Sequence, residues 1–569
     1  MSLRFTYSQL AVALLIAAFL IGFLIVPVVT VVYVAFADGD GGFTLSHFVS
    51  FFHISLMHES FWNSLYVGFW SVVFASLIAV PLAYFTVRFE FRGAALIQTL
   101  GVLPLIMPPF VGAVAMQLIF GRSGAVNLLL NDWFGFTVPI MQGLNGVIFV
   151  EALHYFPFIL MNLVVALNNI DSSMEESAQN LGASGLRLFR RIVFPLAMPG
   201  FVAGAALVFI KVFDDLGTPL VLNVTNMLAP QAYLRITTIG IEDPIGYVAS
   251  VIMVAASLFA LWASTWVMRG KDYATLQRGY SGLARRRLSA RQSLLAYCWI
   301  VLVLLIVLSP HIGILLLSFA KVWSFSVVPD GFTLDHYATV FQDASRMIGN
   351  TMLYCSIAAT LDVVIATAIA YLMLRTRLPG RNALDFTVTV ALAIPGVVLG
   401  IGYLRTFRGI EIPFTDDLLT SSWVLLALAY TVRRLPYALR SCVAALQQLH
   451  VSLEEAAENL GANKRRAIRR IVVPLMAGGM LAGFIISFMT AAVELSTTLM
   501  LVTAQHDAPM SYGIYLYMQS AAGRGPGAAL GVLAVVLVAV GTYLSHRLIG
   551  NRAAAIQAQD IQRLGVQGA

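Results

Sequence analysis

The chain has 569 residues, 59% of them hydrophobic and 11% charged, with a formal net charge of +7 and a mean hydropathy of +0.84. A soluble domain carries about 25% charged residues, so the water-soluble globular class is excluded. Nucleic acid is excluded as a partner by position: the basic residues sit in short segments between apolar runs, which is how the positive-inside rule distributes them.

The apolar runs approach or exceed the ~20 residues that cross a roughly 30 Å hydrocarbon core. In chain order they predict spans near 10–37, 61–87, 95–120, 143–169, 195–215 and 246–268, then 294–320, 348–374, 384–407, 422–447, 474–495 and 526–549. The first run ends Ala35-Phe36-Ala37, as a signal-peptidase site does, but it is about twice a normal signal core and reads as a membrane helix. Pro108 and Pro395 fall inside predicted spans, as a hinge or as a static kink. The three cysteines, Cys298, Cys355 and Cys442, lie in apolar runs without metal or redox spacing and read as small buried hydrophobes.

The chain is an internal duplication. Glu175 to Leu196 and Glu454 to Leu475 are identical at 14 of 22 positions, at a constant offset of 279. Pro157 pairs with Pro436, and Asp215-Leu216 with Glu494-Leu495. Upstream, Asn63, Ala83-Tyr84, Arg88 and Pro108 pair with Asn350, Ala370-Tyr371, Arg375 and Pro395. Six spans per half make the halves parallel repeats. The expected domains are residues 1–268 and 294–569, joined by a basic linker at 269–293. Arg88, Arg187, Arg190, Arg191, the linker arginines, Arg375, Lys464 to Arg466, Arg469 and Arg470 all fall on one side, which places both termini and the linker in the cytoplasm.

Each repeated segment lies on that basic side, between the fourth and fifth spans of its half. Ser173 with Glu176, and Ser452 with Glu455, have capping-box spacing. Gly182 and Gly461 are placed to end a short helix in a left-handed turn. A second helix carrying Arg187, Arg190 and Arg191, or Arg466, Arg469 and Arg470, follows, and Pro195 or Pro474 opens the next span. The pattern Glu-Ala/Ser-Ala, three residues, Gly, nine residues, Ile-x-x-Pro therefore occurs twice. Glu176, Ser177, Ala178, Gly182, Ile192 and Pro195 fill it first, and Glu455, Ala456, Ala457, Gly461, Ile471 and Pro474 fill it again. Capping, turning and basic anchoring would account for these residue types without any partner.

This doubled pattern resembles the EAA signature of permease subunits of binding-protein-dependent ABC importers, with Ser177 as a small departure. The resemblance covers nearly the whole chain and is similar to the fused iron(III)-transport permeases. It implies an all-α polytopic membrane protein of the type I ABC importer permease fold, with 12 transmembrane helices in two tandem parallel six-helix repeats. It implies that Glu176, Ser177, Ala178 and Gly182, with Glu455, Ala456, Ala457 and Gly461, dock a cytoplasmic ATPase. It also implies the bacterial inner membrane, and a periplasmic binding protein that delivers the substrate. No phosphate-cradling GxxxxGK[ST] sequence occurs in the chain, so the expectation is a permease and not an enzyme, partnered by two copies of a separate ATPase, with no cofactor and no metal of its own.

Ionisable residues inside spans default to functional hypotheses. Lys211, Asp214 and Asp215 end the fifth span, Glu494 repeats the place of Asp215, and Arg433 and Arg434 flank Pro436 in the tenth. Asp214, Asp215 and Glu494 line an outer gate or path, or else reach headgroup water, with Lys211 and Asp215 spaced for an i,i+4 pair. Arg433 and Arg434 face a polar cavity, pair with an acid, or snorkel. Ferric iron is the first expectation for the substrate, with 2-aminoethylphosphonate, thiamine or a polyamine as alternatives. A secondary transporter of major-facilitator type is the reading from a different class, although the loop Arg88 to Gly93 lacks that family's motif. The scattered His154, His311 and cysteines argue against an intramembrane enzyme.

Overall fold

Inside a bilayer every backbone N–H and C=O must pair within the protein, and a chain this apolar meets that demand with helices. The computed structural model describes residues 7–39, 41–90, 92–268, 287–413, 417–541 and 543, and they are almost entirely helical. Most of the linker, with Arg269, Lys271, Arg278, Arg285 and Arg286, lies outside the described residues, as does the end of the last predicted span.

Ten described helices are long and apolar enough to cross a membrane: Tyr7–Phe36, Ser55–Arg88, Pro109–Phe134, Gly143–Asn168, Gly185–Asp214, Pro244–Met268, Ala290–Phe319, Ser345–Arg375, Lys464–Ala492 and Arg524–Gly541. The tenth predicted span is the helix Trp423–Gln447, which carries Arg433, Arg434 and Arg440. The expected continuous spans at 95–120 and 384–407 are both broken. The second is a pair, Arg381–Ala393 and Gly396–Thr406, bent by 108°. The first divides into Ala94–Ile106 and a helix beginning at Pro109. The cause is the same in each: the residue before the proline, Met107 (ψ 139°) or Ile394 (ψ 117°), is extended, because a following proline ring clashes with the helical conformation. Pro108 and Pro395 thus separate two helices and do not kink one.

The described chain forms two compact units. One comprises the described residues within 7–33, 343–513 and 533–543; the other comprises those within 34–342 and 514–532. In the first, Ser345–Arg375, Trp423–Gln447 and Val473–Ala492 pack on one another. The N-terminal helix lies on them through Ala13, Ile16 and Leu20, and farther along Tyr403 donates to the Phe23 carbonyl at 2.7 Å. In the second unit, Ser55–Arg88, Gly143–Asn168 and Phe194–Asp214 form the equivalent trio, while Ala290–Phe319 packs on Pro109–Phe120. Each unit therefore takes one long helix from the other sequence repeat.

The fourth and fifth spans of each half meet through glycines spaced by four. A Cβ on Gly204 would lie 2.6 Å from the Ile159 Cα, and one on Gly200 would lie 2.5 Å from the Asn162 carbonyl. At the offset of 279, Gly483 faces Ala438, 3.2 Å from its Cα, and Gly479 faces Ala445. Small residues let the backbones approach where apolar burial gives helices in lipid no drive to associate.

Candidate functional site

The first twin element comprises the helix Ser172–Asn180 and a turn; the second comprises Ser452–Asn459 and a turn. Both helices close in Schellman motifs, with Gly182 at φ +87° and Gly461 at φ +85°. The Ala183 amide donates to the Ala178 carbonyl and the Ala462 amide to the Ala457 carbonyl, each at 2.9 Å. The left-handed glycines are as the pattern predicts. The capping boxes are not. The Asp171 carboxylate accepts from the Ser173 amide at 2.9 Å, one residue before the helix starts. In the second copy Val451 holds the cap position without a side-chain bond, and His450 Nδ1 accepts from the Ser452 amide at 3.3 Å. Ser173 and Ser452 lie inside their helices, so Glu176 and Glu455 have no box to close.

The motif residues divide by face. Glu176, Ser177, Glu455 and Ala456 are exposed, as are Gly182 and Gly461, whereas Ala178 and Ala457 are turned inward. Beside each glycine a leucine stands almost bare, Leu181 at 89% and Leu460 at 90% exposure. Glu175 and Glu454 point the other way. Glu175 Oε1 lies 2.6 Å from Arg88 Nη2, and Glu454 Oε1 lies 2.7 Å from Arg375 Nε. The basic residues that follow do not form a separate helix. They run straight into the fifth span through one π-helical turn, at Phe189–Val193 and again at Ile468–Val472, just before Pro195 and Pro474.

At the far end of the fifth spans the acids cap short helices. Asp215 accepts from the Gly217 amide at 3.0 Å and the Thr218 amide at 3.3 Å, at the start of Gly217–Val221. Glu494 accepts from the Thr497 amide at 3.0 Å and from the Thr498 amide at 3.2 Å, at the start of Ser496–Leu501. Lys211 approaches Asp214 at 4.0 Å, not the predicted Asp215, because the helix ends at Asp214 and Asp215 turns toward its cap. Of the three settings open to Arg433, pairing is the one found: its Nη1 donates to Glu494 Oε1 at 2.5 Å and to Thr497 Oγ1 at 3.3 Å, with both charges buried. Gly396 abuts that guanidinium, where a Cβ would lie 2.9 Å from Arg433 Cζ. Arg434 is buried within electrostatic reach of Asp362, also buried, on Ser345–Arg375.

The first half fills the matching place differently. Where the second has Tyr430 and Arg433, the first has Glu151 and His154 at the offset of 279. Glu151 is fully buried with its carboxyl beside that of Asp215. Glu151 and Asp362 were findable as lone acids in apolar spans. Glu175 and Glu454 were masked by the motif glutamates that follow them. Cys298 is exposed, contrary to expectation, whereas Cys355 and Cys442 are buried.

Duplicated apolar spans, each half with a helix-turn element carrying an outward-facing apolar tip, define the permease component of a transport system. The sequence profile of the family described as binding-protein-dependent transport system inner membrane component matches residues 71–273 and again 362–554, and the chain belongs to that family. It is a multi-pass protein of the inner membrane.

The chain is 28% identical over 502 residues to the ferric transport system permease protein FbpB of Actinobacillus pleuropneumoniae, covering 86% of this chain and 71% of that one. It is 27% identical over 514 residues to a putative ferric transport system permease protein of Haemophilus influenzae, covering 88% and 78%. The molybdenum transport system permease protein ModB of Escherichia coli is 30% identical over 211 residues, 36% of this chain and 91% of that one. Among solved structures, a chain of a bacterial ABC transporter for alginate import matches 46% of this chain with a TM-score of 0.37 and 19% identity.

Proposed function

We propose that this chain supplies both permease halves of an ATP-driven importer of ferric iron. The observation that carries the reading is coverage: the two ferric relatives align across both repeats, whereas the molybdenum permease aligns over 36% of the chain. A periplasmic binding protein delivers the iron, and the binding protein sets most of the selectivity. Two copies of a separate ATPase dock on the twin elements, one per half, with Leu181 and Leu460 as apolar anchors and Glu176, Ser177, Glu455 and Ala456 around them. The inward alanines, Ala178 and Ala457, and the two glycines hold the docking face in shape. Permease domains 1–268 and 294–569 flank the linker, and the termini and linker are cytoplasmic. Each half brings its own charges to the translocation path or its gate, Asp214 and Asp215 in the first and Glu494, Arg433 and Arg434 in the second, the capping carboxylates fixing the short helices that follow the fifth spans. ATP-driven approach of the two ATPases opens the pore outward, and hydrolysis resets it.

The test is uptake into vesicles holding the full chain and its ATPase, offered binding protein loaded with radiolabelled Fe(III), thiamine, 2-aminoethylphosphonate or spermidine. ATP-dependent accumulation of iron alone is the expected result. Accumulation of one of the others overturns the substrate, and uptake driven by an ion gradient without the ATPase overturns the class.

A further inference from the structure

Glu175 and Glu454 stand one residue before the exposed motif glutamates yet are turned into the protein, where each meets the last residue of its half's second span, Arg88 or Arg375. The second copy shows the full arrangement. Arg375 Nε donates to Glu454 Oε1 at 2.7 Å, and Tyr371 donates to Glu454 Oε2 at 3.1 Å. Arg375 Nη2 donates to the carbonyls of Leu446 and Leu449, at 3.2 and 2.6 Å. One guanidinium thereby joins the end of the second span, the end of the fourth and the first turn of the short helix. The electrostatics favour it. The arginine faces carbonyls at the negative end of the Trp423–Gln447 dipole, and the glutamate occupies the positive end of Ser452–Asn459.

Covalently, the short helix is tied only to the spans before and after it, the fourth and fifth. The second span reaches it through this contact. A buried ion pair adds little net stability, because desolvation offsets the attraction. What such a pair supplies is position. It is present in both halves although eight of the 22 segment positions have diverged, and Tyr84 repeats the place of Tyr371.

We propose that Glu175 with Arg88, and Glu454 with Arg375, are positioning pairs that make each coupling helix and the second span of its half move as one body. Displacement of the helix by the ATPase is then delivered to the second span as well as to the fourth and fifth. This rests on the docking reading above.

The experiment uses the full chain with Cys298→Ser, Cys355 and Cys442 being buried. Spin labels are placed at two exposed sites, Arg377→Cys beyond the second span and Glu458→Cys on the short helix. Their separation is measured by pulsed electron resonance with and without ATPase and nucleotide. The native chain should give one narrow distance that does not change between states. Glu454→Gln should broaden it, or let it change with nucleotide, and the reversal Arg375→Glu with Glu454→Arg should narrow it again. An unchanged narrow distance in Glu454→Gln overturns the proposal. In vesicles, Glu454→Gln should retain ATPase binding and basal hydrolysis while transport per ATP falls at least tenfold. A loss that tracks lost ATPase binding also overturns it. If the native chain does not bind the ATPase, the docking reading has failed, and the label distance alone still reports on the pair.

Discussion

The buried pair between Arg433 and Glu494 gives the sharpest energetic prediction. Arg433→Met leaves a carboxylate that is 5% exposed with three donors: the Thr497 and Thr498 amides and the Thr498 hydroxyl, at 3.0, 3.2 and 3.1 Å. Removing one member of a buried ion pair costs about 3–5 kcal/mol. The retained donors keep the carboxylate partly solvated, so the lower end, about 3 kcal/mol, is expected. For units of 150–250 residues one kcal/mol moves Tm by about 2–4 °C, which predicts a fall of about 6–12 °C. The assay is thermal unfolding of the purified full chain in detergent, followed by tryptophan fluorescence. Glu494→Gln should also destabilise, since it leaves the guanidinium buried without its counter-charge. Neutralising both should cost less than the sum, by about 1–3 kcal/mol, because the residues touch. A fall in Tm under 2 °C for Arg433→Met, or strict additivity in the double variant, would refute the reasoning.

Leu460→Ala and Leu181→Ala should each weaken ATPase binding about 50-fold, from the loss of three buried carbons at roughly 0.8 kcal/mol each, and should leave Tm unmoved because both side chains are exposed; surface-immobilised ATPase reads the affinity. Gly461→Ala should cost roughly 1–2 kcal/mol at its left-handed φ of +85°. Hydrogen exchange at the Gly461 and Ala462 amides, which close the helix, should quicken, and Gly461→Asn should be milder. Gly204→Ala should lower Tm more than Gly483→Ala. The first Cβ meets backbone at 2.6 Å and the second at 3.2 Å, and the overpacking cost is about 1–3 kcal/mol. Equal shifts would mean that the two span pairs relax alike.

The spans, the duplication and the left-handed glycines were legible in the sequence because each is a local pattern: hydropathy over one helix, identity at a fixed offset, glycine after a short helix. In the first copy the cap was misread because serine and aspartate compete for the same role, and Asp171, two residues before Ser173, wins; in the second the helix starts at Ser452 itself, so Val451 falls in the cap position. The partner of Arg433 was undetermined because Glu494 is 61 residues away, and no periodicity carries that far. Glu175 and Glu176 are adjacent, yet a helix turns by about 100° per residue, which puts one inside and the other out. The sequence did show Pro108 and Pro395, but a kink and a full break have the same signature in one dimension.

The exchange of long helices between the two sequence repeats bears on how the protein is made. The segment Tyr7–Tyr33 is made long before the surface that receives it, around Ala366, Leu435 and Cys442. That helix must wait in the bilayer, unmatched, until those later residues have been inserted. A separately expressed first repeat would lack both that acceptor and the Ala290–Phe319 helix that its own bundle recruits. Carrying both repeats on one polypeptide supplies lender and borrower in equal number, in a fixed order, within the same patch of membrane.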